Sequence, residues 1–160
     1  DSVINEHNID WYRNHFSVVF ADFYLFKNII NENGVKPDPE LVEHYLTKLA
    51  LNNKVEVVDG RLSTTELSQG QRKRLALLLA YLEDRSIIVL DEWAADQDPT
   101  FRRIFYTELL PELKARGKTI IAITHDDHYF HLADKLYRVD AGQLSLVKND
   151  VNELTMEQAS

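Results

Sequence analysis

The sequence predicts an α/β protein with a mostly parallel sheet, and three observations lead there. The run Ile87-Ile88-Val89-Leu90 is apolar and β-branched and ends abruptly in Asp91-Glu92. It reads as a buried parallel strand that delivers two acids to the carboxyl edge of a sheet, where open α/β folds bind ligands. A second such run, Thr119-Ile120-Ile121-Ala122-Ile123, ends in Thr124-His125-Asp126-Asp127. Between and before them lie helical patterns, the clearest opened by Leu67-Ser68-Gln69-Gly70-Gln71. Strands alternating with helices require parallel pairing through crossovers.

Along the chain, Phe16-Ser17-Val18-Val19-Phe20 reads as a short buried strand that runs into the aromatic loop Ala21-Asp22-Phe23-Tyr24-Leu25-Phe26. From residue 27 to about 84 the pattern turns helical. Pro39 and Glu40 start a helix whose apolar face holds Leu41, Val42, Tyr45, Leu46 and Leu49, at i, i+4 spacing. Asp59-Gly60 marks a turn. Ser68 and Gln71 have the S-x-x-Q spacing of a capping box, so a helix begins with Gln69 and Gly70 in its first turn. Arg72-Lys73-Arg74 reads as a solvated face of that helix. Further on, Asp98-Pro99 is an N-cap followed by proline at the first helical position, and Gly117 closes the helical region. Pro111 must kink or restart it, because an interior proline loses a backbone hydrogen bond. Asp126 or Asp127 is expected to cap a helix containing Tyr129 and Ala133. The polar stretch from Asn149 reads as a frayed tail.

At 160 residues and 44% hydrophobic content the chain suffices for one core, or a core lobe with a small subdomain. Its apolar stretches fall short of the ~20 residues a spanning helix needs, and its first residues show no secretory-signal pattern. The absence of cysteine removes disulfide and thiolate chemistry. A formal net charge of −8 disfavours non-specific attraction to nucleic acid or anionic lipid.

The chemistry-bearing residues gather at the two strand ends and one helix start. The first-turn N–H groups after Ser68 and the helix dipole form an anion site, and Gly70 has no Cβ to obstruct it. Asp91 and Glu92 point in different directions at a strand terminus and suit different tasks. His125 follows its strand directly at the same sheet edge. His125, His128 and His131 with Asp126 and Asp127 also resemble a metal-ligand set, but residues three apart share a face only in a helix, which His125 precedes.

In this order the motifs resemble the nucleotide-binding domain of ABC-type ATPases. Leu67-Ser68-Gln69-Gly70-Gln71 matches the signature loop, residues 87–92 the Walker B strand, Ala95-Asp96-Gln97-Asp98 the D-loop, and His125 the switch histidine. The wording Asp91-Glu92-Trp93-Ala94-Ala95-Asp96-Gln97-Asp98-Pro99 is similar to cyclic-peptide and siderophore exporters of that family. The resemblance implies a P-loop NTPase core formed by residues 1–26 and 85–148, an inserted helical subdomain over 27–84 and a polar tail over 149–160. It implies ATP as substrate and Mg²⁺ as cofactor, with Asp91 orienting the metal through its water shell, Glu92 as general base and His125 on the γ-phosphate. Ser68, Gln69, Gly70 and Gln71 would serve ATP held by a second, head-to-tail nucleotide-binding domain, and Asp98 would couple the two sites. A transmembrane domain upstream in the same polypeptide, a place on the cytoplasmic face of the inner membrane and no nucleic-acid partner follow from the same resemblance.

Three departures from that pattern stand out. Gln69 replaces the usual first glycine of the signature loop, and Ala21 stands where a glutamine usually follows the strand before it. No G-x-x-x-x-G-K-[ST] loop occurs in the chain, so the phosphate-gripping lysine and backbone donors are missing. The chain is therefore expected to be the C-terminal part of a longer protein. Two other classes share parts of the pattern: a soluble ABC-type ATPase of DNA repair or chromosome organisation, and a non-catalytic fragment.

Overall fold

The computed structural model describes residues 3–29 and 36–149, in two compact units that meet in sequence between Thr124 and His125. The first unit begins with a short helix α1 (Ile9–Arg13) and strand β1 (Phe16–Val19). Helix α2 (Pro39–Lys48) follows, its first turn capped by the Asp38 carboxylate, which accepts from the Glu40 N–H at 3.0 Å. Val42, Tyr45, Leu46 and Leu49 of that segment are buried, while Leu41 turns outward. The apolar stripe is thus narrower than the sequence pattern.

Residues 27–84 are not wholly helical. Strands β2 (Val57–Val58) and β3 (Arg61–Leu62) pair antiparallel around Asp59-Gly60, whose φ values of 55° and 74° both lie in the left-handed region that two-residue hairpin turns demand. Its packing also fixes the glycine, since a Cβ on Gly60 would lie 2.9 Å from the Ile29 carbonyl oxygen. Two residues per strand are too few for a periodic pattern to register.

Helix α3 (Gln69–Glu83) buries Leu75, Leu77, Leu78, Ala80 and Tyr81 around most of its circumference. It lies against α2 on one side and β1 on the other. Tyr81 stacks on Tyr45 with ring centroids 4.4 Å apart. Burial first, then neighbouring Tyr45, drives its phenol well above the usual tyrosine range. Each fully buried leucine contributes about 1.5–3 kcal/mol relative to exposure, so α3 is held by its surroundings on two sides.

Strand β4 (Ile87–Asp91) is central in a parallel sheet of order β1-β4-β5, with β5 spanning Thr119–Ile123. The register aligns Ser17 with Ile88 and Val19 with Leu90, and all four are buried. Phe16, Val18, Ile121 and Ile123 fall on the opposite face and are 40–51% exposed. The expectation of a short buried strand at residues 16–20 holds for one face only: β1 buries alternate residues, and Phe20 beyond it is exposed. A strand sandwiched on both faces and one covered on a single face can carry the same apolar run, and sequence does not distinguish them.

The crossover from β4 to β5 runs through α4 (Pro99–Ile104), a π turn (Phe105–Leu109) and α5 (Leu110–Ala115). Of the two expectations for Pro111, a restart is what the structure shows: an α-helix begins anew at Leu110 after the π turn. Pro111 sits in the first turn of α5, where the missing N–H has no helical partner to lose, and the wide turn precedes it. Gly117, at φ 79°, then ends the helix. The Lys118 N–H reaches the Leu113 carbonyl at 3.1 Å and the Gly117 N–H reaches Lys114 at 2.9 Å, a Schellman closure.

The second unit holds a 3-10 turn (Asp127–Leu132) and an antiparallel hairpin of β6 (Lys135–Asp140) and β7 (Gln143–Asn149). The expected α-helix after the acid pair is therefore a tighter turn, and neither aspartate caps it through its side chain; the Asp126 carbonyl instead accepts from the Tyr129 N–H at 3.0 Å. The Lys148 ammonium ties the turn to the hairpin by donating to the His131 and Ala133 carbonyls at 2.8 and 3.0 Å. Asn149 closes β7, and the rest of the expected tail lies outside the described residues. Among the described residues no helix is long and apolar enough to cross a membrane.

Candidate functional site

Residues 91–98 and the first turns of α3 form one interlocked surface. At its centre Glu92 leaves β4 in a left-handed conformation, φ 48° and ψ 33°. A non-glycine residue there costs about 1–3 kcal/mol and persists only where its surroundings hold it. Both of its backbone groups are held: the N–H donates to the Ile123 carbonyl at 3.0 Å, and the carbonyl accepts from the Lys73 ammonium at 2.5 Å. Asp91 and Glu92 are both half-exposed at the carboxyl end of the central strand, as the sequence pattern anticipates.

The turn Trp93–Asp96 folds back under this carboxylate pair. Trp93 is buried, stacks on Phe105 at 4.2 Å and donates its indole N–H to the Lys73 carbonyl at 2.8 Å. Lys73 is only 2% exposed and also pairs with Asp96 at 2.8 Å. The reading of Arg72-Lys73-Arg74 as a solvated face is thereby corrected. Lys73, Leu77 and Tyr81 stand four apart on one buried stripe of α3, a signal available in the sequence once the register of the helix is known.

Arg74 and Gln97 complete the junction. The Arg74 Nε donates to Gln97 Oε1 at 2.8 Å, its Nη2 donates to Asp98 at 2.8 Å, and its guanidinium lies 3.5 Å from the centroid of the Phe101 ring. Gln97, buried, donates in turn to the Gly70 carbonyl at 3.1 Å. Desolvation lowers the Arg74 pKa, opposed by the Asp98 charge. Asp98 caps α4 by accepting from the Phe101 N–H at 2.9 Å. That bond chiefly, opposed by partial burial and aided by Arg74, holds its carboxyl below the usual range. Motif reading placed Gln97 in the D-loop without giving it a role and passed over Lys73 as a structural residue.

The expected capping box is present in full. Ser68 Oγ accepts from the Gln71 N–H at 3.3 Å and Gln71 Oε1 accepts from the Ser68 N–H at 3.2 Å. Ser68 and Gln69 are exposed at the tip, while Gly70 and Gln71 are half-buried. A Cβ on Gly70 would lie 2.6 Å from the Asp96 carbonyl oxygen. Close packing between two backbones thus accounts for this glycine before any ligand is considered.

His125 opens the second unit, its carbonyl accepting from the Asp127 N–H at 2.9 Å. His131 donates through Nδ1 to the His128 carbonyl at 2.9 Å. Among the described residues no group of three or more His, Cys, Asp or Glu is placed to hold a metal ion. Ala21 and Asp22 form a bend after β1, with Asp22 exposed.

Comparison with known proteins bears on this arrangement. Residues 1–95 match the family model for ABC transporters. The ATP-binding protein SyrD of Pseudomonas syringae pv. syringae is 55% identical over 133 residues, covering 82% of this chain and 24% of that protein. The lipoprotein-releasing system ATP-binding protein LolD of Rickettsia bellii is 27% identical, over 80% of this chain and 58% of that protein. The chain therefore spans only part of the length of these relatives. A metal-chelate type ABC transporter solved in an inward-facing conformation has the same fold, with a TM-score of 0.62 at 19% identity over 84% of this chain and 58% of that one. With its parallel α/β core, its capped signature helix and its acid pair at the end of the central strand, the chain belongs to the ABC transporter family.

Proposed function

We propose that the chain is the C-terminal part of the ATP-hydrolysing domain of an ABC exporter, and that the exporter carries a peptide, cyclic peptide or siderophore. The observation that carries the hydrolytic reading is Glu92, a strained residue at the carboxyl end of the central parallel strand, beside Asp91 and backed by the first turns of the signature helix. The half-bare sheet face of Phe16, Val18, Ile121 and Ile123 supports a further layer from the same longer protein, because parallel sheets are normally covered on both sides. That layer would bring the phosphate-binding loop.

In this reading Glu92 takes the proton of the attacking water, and Asp91 would hold Mg²⁺. Half-exposed carboxylate oxygens are the donors a hard cation selects. The metal, when bound, supplies neutralisation of charge that develops on the transferred phosphoryl group. Splitting the tasks between adjacent acids is what phosphoryl transfer to water needs. His125, at the position of the switch histidine in the motif order, is assigned a contact with the γ-phosphate. Ser68, Gln69, Gly70 and Gln71 offer the helix N-terminus to ATP on a second nucleotide-binding domain, and Asp98 contacts that domain's phosphate-binding region. The membrane-spanning helices lie upstream in the same polypeptide, which places the chain at the cytoplasmic face of the membrane.

Steady-state hydrolysis by the longer protein tests the assignment. Glu92→Gln keeps shape and ATP binding but lowers turnover by about 10²-fold or more, and His125→Ala also lowers it. A Glu92→Gln protein hydrolysing at the parental rate would remove the general base from this site.

A further inference from the structure

Among the described residues Lys73 is the one buried cation, and no step of the hydrolytic reading uses it. A buried ammonium is expensive unless it is paired and hydrogen-bonded. Its two acceptors both belong to the segment after β4: the main-chain carbonyl of Glu92 at 2.5 Å and the Asp96 carboxylate at 2.8 Å. Its own backbone carbonyl is gripped by the Trp93 indole at 2.8 Å. Three bonds therefore join a single residue in the second turn of the signature helix to Glu92, Trp93 and Asp96.

We propose that Lys73 is a positioning residue for hydrolysis, fixing the left-handed backbone of Glu92 and so the direction of its carboxylate, and linking that direction to the signature helix. The proposal rests on Glu92 acting as the general base. Its physical content is torsional. In the left-handed region the peptide after Glu92 has an orientation that the chain adopts only under restraint. The Ile123 carbonyl holds one end of that residue through its N–H, and Lys73 holds the other through its C=O. Without the ammonium, the Glu92 carbonyl keeps the longer bond from the Ala95 N–H at 3.3 Å, so the peptide is held less firmly against an extended or right-handed conformation, in which the carboxylate points elsewhere. The Asp96 ion pair keeps the ammonium itself from following. A tilt of the signature helix, such as engagement of its N-terminus by a phosphate would produce, moves Lys73 and reaches Glu92 without any change in the nucleotide's own contacts.

The test uses the longer protein that contains this chain, with Lys73→Met, Lys73→Arg, Lys73→Gln and the control Glu92→Gln. Methionine matches the lysine stem in length and apolar character, and the Asp96 carboxylate it leaves behind is 40% exposed, so water can solvate that charge. Expected for Lys73→Met is a fall in kcat of at least about tenfold, as for misplacement of a reacting group by a fraction of an ångström. KM and the ATP dissociation constant should stay within about twofold, the sign of a group that acts only in the transition state. The Arg and Gln variants keep an N–H donor toward the Glu92 carbonyl, and at least one should recover most of the lost rate. Should the Met protein not fold, Lys73→Leu takes its place in the same comparison. An unchanged kcat, an equal loss of ATP binding, or Arg and Gln variants no better than Met would overturn the role of Lys73. The control separates the two ideas: a slow Glu92→Gln beside a Lys73→Met of parental rate removes Lys73 alone, whereas a Glu92→Gln of parental rate removes the general base and Lys73 with it.

Discussion

The backbones of Gly70 and Asp96 approach so closely that a Cβ on Gly70 would stand 2.6 Å from the Asp96 carbonyl oxygen. The neighbour is main chain and cannot rotate away. Two effects compete in Gly70→Ala: alanine is favoured over glycine in a helix by about 0.8–1 kcal/mol, while overpacking against an unyielding group costs about 1–3 kcal/mol. Against an unyielding backbone the clash should win, giving a net loss of up to about 2 kcal/mol in denaturant unfolding of this chain. A stabilised Gly70→Ala protein would show that residues 93–98 yield readily. An acidic side chain at Gly70 is consequently a poor probe of phosphate contact, since it disturbs the fold first.

Ser68 separates those two roles cleanly. Aspartate caps helices as well as serine does and suits the dipole, so Ser68→Asp should leave stability within about 0.5 kcal/mol, whereas Ser68→Ala should cost about 1 kcal/mol. In the longer protein the added charge at an exposed helix tip opposes an incoming phosphate. Ser68→Asp should therefore keep monomer ATP affinity while blocking ATP-dependent dimerisation and hydrolysis. Loss of monomer affinity in a folded Ser68→Asp protein would mean that the loop works on its own subunit's nucleotide.

Asp98 gives a pH dependence of known sign. Its folded carboxyl is held below the usual range, first by the Phe101 N–H. The stabilisation is then complete above the unfolded value of about 3.9 and is lost as pH falls through the lower folded value. Asp98→Ala should cost about 1 kcal/mol at neutral pH, the worth of an N-cap. The difference between the two proteins should shrink below about pH 4. Unfolding measured across that window checks it; a gap that persists at low pH would assign the effect to packing rather than to the charge.

The 160 residues contain no phosphate-binding loop of the G-x-x-x-x-G-K-[ST] type. Titration calorimetry of the chain by itself should accordingly detect no micromolar binding of Mg-ATP, and phosphate release should stay at background. Tight binding or clear turnover would relocate the nucleotide site within these residues.

Local chemistry was enough to make much of this molecule legible. The strands at residues 87–91 and 119–123, the capping box of Ser68 and Gln71, the Asp98-Pro99 helix start and the Gly117 stop each follow from neighbours within a few positions. Family motifs extended that reading to the acid pair and the signature loop, because the chemistry of phosphate sites demands fixed residue types at short spacing. What only the tertiary structure decided depends on contacts distant in sequence. Lys73 became a buried tie because the acceptors for its ammonium lie 19 and 23 residues away (92 − 73 and 96 − 73). Gly70 is glycine for the sake of Asp96, Pro111 is accommodated by a π turn set by the crossover, and one face of β1 stays bare because nothing in the described residues covers it. Periodicity reports which side of an element is apolar, but the identity of whatever lies against that side is fixed only when the chain returns to it.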